Sequence, residues 1–223
     1  MSIIMQGGGG KPTVHFQRVS LTGFYLRCAR KSAETAFGIG DEKEQAERRL
    51  EVSIMTILWA TLALEAGANE NVENLIPESD LSAFDFCQKQ YKKPDKLSKI
   101  VWKWHWLFKA GPKVEIPVTD PLFVAAEELV QLRHNITHYK PQDTARRVYF
   151  EPTPPVLKED GFYHRTDWSG DMKPSKVEPS LVEAAVLRQS AAKYYMAARA
   201  VFMRWGIEYG RELSEMEKAL PAL

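Results

Sequence analysis

Cysteine is almost missing from this chain, and so is any excess of one charge. Cys28 and Cys87 stand in unrelated contexts without paired spacing, so no disulfide framework is expected. The 30 Lys and Arg nearly cancel the 29 Asp and Glu, giving a net charge of +1 and a pI near 7.7. No global field therefore draws in nucleic acid or an anionic membrane, and any RNA affinity must come from a local patch. Long apolar runs are missing too. The longest, Val52 to Ala66, is interrupted by Ser53, Thr56, Thr61 and Glu65 and falls short of the roughly 20 residues a bilayer requires. It reads as a buried helix, and no membrane partner is expected. The N-terminus does not combine a basic region, an apolar run and a cleavage site, so the reading is a reduced, cytoplasmic protein. There is no internal repeat, no Gly-x-Ser-x-Gly elbow, no HExxH motif and no P-loop, and no cofactor is expected. Four consecutive glycines, Gly7 to Gly10, follow no strand, so residues 1–12 are expected to form a flexible tail. Gly38 and Gly40 make a fragment of a dinucleotide fingerprint, but the third glycine is missing and a helix stop explains them better.

What remains is helical punctuation around a sufficient core. With 223 residues and 44% hydrophobic content, the chain can form one large domain, expected over residues 13–223. Val14 to Val19 alternate as a strand would, and Phe24 to Ala36 read as a helix. Asp41 and Glu44 form a capping box opening a helix to about Asn71, solvated in its first half and core in its second. Two short helices follow, Asp80 to Gln90 and Lys96 to Lys109. Ser180 and Glu183 form another capping box before a long helix in which Ala191, Tyr195, Ala198, Phe202, Trp205 and Tyr209 keep a heptad-like beat, with Gly206 or Gly210 ending it. Residues 140–178 are a proline-rich excursion, in which 148–150 and 161–164 are expected to pair as a small hairpin. The fold expected is an all-α bundle of five or six helices.

Chemistry concentrates in one helix. Asp120 can cap it, Pro121 suits its first position, and Lys140-Pro141 closes it. Leu122, Ala125, Leu129, Leu132 and Ile136 form one apolar stripe. Phe123, Ala126 and Val130 form a second strip beside it, bracketed by Arg133 and His138, and this second strip is expected to be buried on a partner. Arginine offers a fixed forked charge that suits phosphate, and histidine moves protons near neutral pH. The run Leu132-Arg133-His134-Asn135-Ile136-Thr137-His138-Tyr139 resembles the signature of the HEPN family, R-[N/D/H]-x-x-x-H, with Arg133, His134 and His138 filling it. Glu127 to Arg133 is similar to that family's lead-in. Leu64-Glu65-Ala66-Gly67-Ala68-Asn69-Glu70 is similar to a Leu-Glu-Ala-x-x-Asn-Glu run of bacterial HEPN-like proteins, so the resemblance covers about Asp41 to Tyr139.

The resemblance implies a HEPN-like homodimer and a metal-independent endoribonuclease, in a toxin or defence setting. The ribose 2′-hydroxyl attacks the adjacent phosphate, His138 moves the proton and Arg133 stabilises the phosphate charge, in a cleft where two copies of the motif helix meet. His134, Asn135, Tyr139 and Glu65 are candidate supporting residues. It further implies an antitoxin or nucleotidyltransferase partner, although Tyr139 follows His138 directly, where toxins modified by such a transferase carry tyrosine two residues on. The alternative is a non-catalytic HEPN-like homodimeric module that binds nucleotide, RNA or a protein partner.

Plainer readings compete. Arg133 would pair with Glu65 or Glu127 while His138 caps the helix C-terminus, or Glu65 would simply snorkel outward. A rival metal site would use His134 and His138 with Glu127. Trp102, Lys99 and Lys103 are candidates for RNA binding, because lysines hold a backbone while rings stack on bases. The competing reading makes Ile100, Val101, Trp104 and Phe108 a core face with the lysines outside.

Overall fold

A computed structural model describes residues 2–4, 16–18, 20–40, 43–94, 96–138, 147–150, 156–157, 163–164, 174–178, 180 and 188–209. The chain divides into a helical unit, Met1–Thr137 with Val186–Leu223, and a second unit, His138–Ala185. Among the described residues there are six α-helices: α1 (Thr22–Gly38), α2 (Ala46–Leu75), α3 (Glu78–Asp85), α4 (Lys99–Ala110), α5 (Pro121–Thr137) and α6 (Arg188–Glu208). The protein is thus mainly a helical bundle, as the punctuation implies.

Several boundaries have a local cause. The Asp120 carboxylate accepts the Leu122 N–H at 2.9 Å and Pro121 opens α5, as expected. The Ser98 hydroxyl accepts the Val101 N–H and starts α4. At the other end of α1, Gly38-Ile39-Gly40 is indeed where the helix stops. α2 begins later than its capping box suggests: a 3-10 turn, Lys43–Gln45, precedes it, and Asp41 lies outside the described residues. The last helix runs through Gly206 to Glu208, so Gly206 does not end it, and the Ser180 to Glu183 box and Gly210 fall largely or wholly outside the described residues.

Turn chemistry replaces glycine after α3. Gln88 donates its backbone N–H to Ala83 O and Cys87 donates to Phe84 O, the two bonds of a Schellman motif, with Cys87 at the left-handed position (φ 53°) where glycine usually sits.

α2 is the bundle's central element, packed on α1, α4, α5 and α6. It is long and apolar enough to cross a membrane by length and composition, but its buried Ile57, Ala60, Leu64 and Ala68 face the other helices. Trp104, fully buried on α4, donates its indole N–H to Leu64 O and meets Phe202 and Trp205 of α6 edge-on.

Strands are short and local. Residues 2–4 of the expected tail form β1 (Ser2–Ile4), antiparallel to β2 (Phe16–Arg18), so this part of the tail is paired. In the second unit, β3 (Arg147–Phe150) pairs with β6 (Pro174–Glu178), while β4 (Val156–Leu157) pairs with β5 (Tyr163–His164). The expected hairpin is therefore replaced by one two-stranded ladder enclosing another in sequence. Prolines 152, 154 and 155 separate 147–150 from 156–157, and the strand that answers 147–150 comes only after 173.

Candidate functional site

The motif residues occupy the last turn of α5 and the turn that follows it. Arg133 and Asn135 are half-buried, His134 and His138 are exposed, and Tyr139 lies outside the described residues. Thr137 turns its hydroxyl back to the carbonyl oxygens of Arg133 and His134, at 3.0 and 3.2 Å, which satisfies acceptors of the last helical turn. His134 and His138 both have interaction partners. The Arg133 guanidinium has no hydrogen-bond or carboxylate partner among the described residues.

Neither carboxylate of the plainer reading pairs with Arg133. Glu127 turns towards α4, where both its oxygens accept the Ser98 N–H, at 3.1 and 2.9 Å, and Oε1 also accepts from Gln131. A carboxylate placed there meets the positive end of the α4 dipole. The rival metal set loses its third ligand to the same contact, and no group of three or more His, Cys, Asp or Glu suited to a metal occurs among the described residues.

The second apolar strip of α5 is not free for a partner. Phe123, Ala126 and Val130 are buried inside the protomer, and the Phe123 ring packs edge-on against Phe108 and His105 of α4. A single helix stripe cannot be seen from sequence to face two neighbours at once. Here α5 packs against α2, α4 and α6 together, which consumes both strips. The exposed stripe of α5 is instead Val124, Glu128, Gln131 and His134, with Glu128 paired to Lys193 of α6 at 2.8 Å.

Comparison with protein-family models, curated proteins and solved structures gives no match.

The run Leu64 to Glu70 has a structural role at nearly every position. Leu64 and Ala68 are core, and Leu64 O receives Trp104. Gly67 lets Phe202 and Trp104 approach: a Cβ there would meet Phe202 Cε1 at 2.5 Å and Trp104 Cζ2 at 3.1 Å. Glu70 caps α1 from across the bundle, accepting from Ser20 Oγ, Leu21 N, Thr22 N and Thr22 Oγ1. Asn69 Oδ1 accepts from Lys103 Nζ at 2.8 Å. Glu65 is exposed, with no partner among the described residues.

The expected RNA surface on α4 is taken apart by burial. Trp102 is buried and stacks on Phe84 with ring centroids 4.6 Å apart, so its face is not open to a base. Lys103 is only 9% exposed, bonded to Asn69 and to Asp85 Oδ1 at 2.8 Å, and it lies over the Phe84 ring. It does not track a nucleic-acid backbone. The hydrogen bond from Lys103 and the nearby charges of Lys103 and Lys99 hold the Asp85 carboxyl below its ordinary range. Lys99 stays half-exposed, 3.6 Å from Asp85.

These groups open onto a cavity of about 630 Å³ between α2, α3 and α4. Glu65, Asn69 and Glu73 recur at four-residue steps along its α2 wall, a spacing visible in the sequence. Asp85 and Phe86 carry no such signal, because only the packing of the end of α3 against α4 brings them there.

Proposed function

We propose that this chain is a HEPN-like, metal-independent endoribonuclease acting from the C-terminal end of α5. The observation that carries the reading is Arg133, partly exposed in the last turn of α5 with its charge unpaired among the described residues. Its guanidinium keeps its forked donors, because neither Glu65 nor Glu127 pairs with it. An anionic ligand satisfies it, and the forked N–H pattern matches two phosphate oxygens. His138 follows α5 directly and supplies the proton-transfer group that the family signature calls for.

In this reading the 2′-oxygen attacks the adjacent phosphorus, its proton passing to His138, and the bond from phosphorus to the 5′-oxygen breaks, that oxygen taking a proton from water, to leave a 2′,3′-cyclic phosphate and a 5′-hydroxyl. Arg133 offsets the charge building on the equatorial oxygens. His134 and Asn135 are supporting residues beside it, and the Thr137 hydroxyl on the Arg133 and His134 carbonyls holds the end of the helix. Because Phe123, Ala126 and Val130 are core, a homodimer would instead bury the exposed α5 stripe that runs from Val124, itself 45% exposed, to His134. The free thiols of Cys28 and Cys87 fit a reducing compartment, the cytoplasm, where RNA is met.

The test is purified protein on single-stranded and structured RNA with excess chelator. Cleavage should persist with chelator and fall by about two orders of magnitude or more in Arg133→Ala and in His138→Ala, with native circular dichroism in both. Uncut RNA across pH 6 to 8, or a His138→Ala protein as fast as wild type, removes the enzyme reading and leaves the binding module.

A further inference from the structure

The cavity between α2, α3 and α4 stands apart from the chemistry of the motif helix. Its walls carry opposite, unequally satisfied charges. On α2, Glu65 is exposed without a partner among the described residues, and Asn69, one turn on, gives its oxygen to Lys103 and so turns its NH₂ the other way. On α4, Lys103 is committed to Asn69 and Asp85, whereas Lys99 is held by Asp85 only through a longer ion pair of 3.6 Å and is half-exposed, which leaves part of its three-donor ammonium for a ligand. Phe86 stands at the rim, 76% exposed and the most exposed large apolar side chain among the described residues.

We propose that this cavity binds a free α-amino acid with an apolar side chain. A simple anion would face Glu65 and Asp85, and a simple cation would face Lys99 and Lys103, so either leaves one charge set against its own sign. A zwitterion answers both. Its ammonium meets Glu65, its carboxylate meets Lys99 and the Asn69 NH₂, and its side chain covers Phe86. The cavity volume falls within the range of about 300 to 1,000 Å³ usual for small-molecule sites. The Lys103 to Asp85 and Lys103 to Asn69 bonds hold the two walls in place before the ligand arrives, which limits the ordering cost of binding.

Isothermal titration of the full chain with L-phenylalanine and L-leucine, beside 2-phenylethylamine and 3-phenylpropionate, tests this. At least one amino acid should bind saturably, and each half-molecule should bind about tenfold more weakly or worse. Glu65→Gln and Lys99→Gln, both at exposed positions, should each weaken amino-acid binding by about tenfold, and Phe86→Ala should weaken it as well. Arg133→Ala with His138→Ala should bind normally, which keeps this result separate from the ribonuclease reading. Failure of both amino acids to saturate by about 10 mM, far weaker than an ordinary metabolite site, overturns the proposal. So does a half-molecule that binds as tightly as the whole, or a natively folded Glu65→Gln protein that binds like wild type.

Discussion

Glu127 accepts the Ser98 amide with both carboxylate oxygens, at 3.1 and 2.9 Å, and so ties the middle of α5 to the start of α4. Charge and hydrogen bonding act together at that helix start. Glu127→Ala should cost about 1 to 2 kcal/mol, the scale of a lost cap plus a dipole interaction. Glu127→Gln should recover part of it, and urea denaturation of the three proteins gives the comparison. On the proposed ribonuclease reading, RNA cleavage should be unaffected by Glu127→Gln, since this carboxylate is not the partner of Arg133.

Charge and fork at Arg133 can be separated by substitution. Lysine keeps the charge but not the fork, so Arg133→Lys should retain binding of RNA while cleaving at least about tenfold more slowly. An RNA carrying a single 2′-deoxy position should resist cutting at that position only. Single-turnover rates on a labelled oligonucleotide give both answers.

Gly67 sets the spacing between α2 and α6. Alanine ordinarily gains about 1 kcal/mol over glycine inside a helix. At this position its methyl group would meet the Phe202 ring at 2.5 Å and Trp104 at 3.1 Å, and Trp104 is fully buried. Overpacking costs about 1 to 3 kcal/mol, so the Gly67→Ala protein should be less stable despite the better propensity. Combining it with Phe202→Leu should restore part of the loss, measured by thermal unfolding.

Cys87 occupies the glycine position of the Schellman motif after α3, at φ 53°. A side chain in the left-handed region is strained, so Cys87→Gly should raise stability by about 0.5 to 1 kcal/mol. Denaturant midpoints under reducing conditions decide this.

The Tyr195 hydroxyl is buried on α6 without a hydrogen-bond partner, and burial pushes its pKa up to about 12. The raised value favours the neutral form in the folded state. Stability from this group is therefore complete below about pH 10, the unfolded value, and declines as pH rises towards 12. Ultraviolet titration should show one tyrosine ionising late. Tyr195→Phe removes an unsatisfied hydroxyl, so it should be neutral or stabilising, by up to about 1 kcal/mol, and should abolish that late step.

Local chemistry was legible in the sequence because its causes are local. Asp120-Pro121 starts a helix whatever surrounds it, Gly38 to Gly40 stops one, and the periodicity of α5 marks two apolar strips before anything is known of neighbours. The Arg133 to His138 spacing is a pattern of the sequence alone, and the structure adds that Arg133 lies in the last turn of α5 and His138 in the turn after it. Tertiary structure decided which polar groups are used up. Lys103 and Trp102 look like a nucleic-acid surface until Asp85, Asn69 and Phe84 arrive from other helices and occupy them. Phe123 looks like a dimer contact until α4 covers it, and Glu70 looks like part of a motif until it caps α1 from 48 to 50 residues away. Periodicity says that a face is apolar or charged, but the partner that satisfies it comes from distant sequence, and only the packed chain brings the two together.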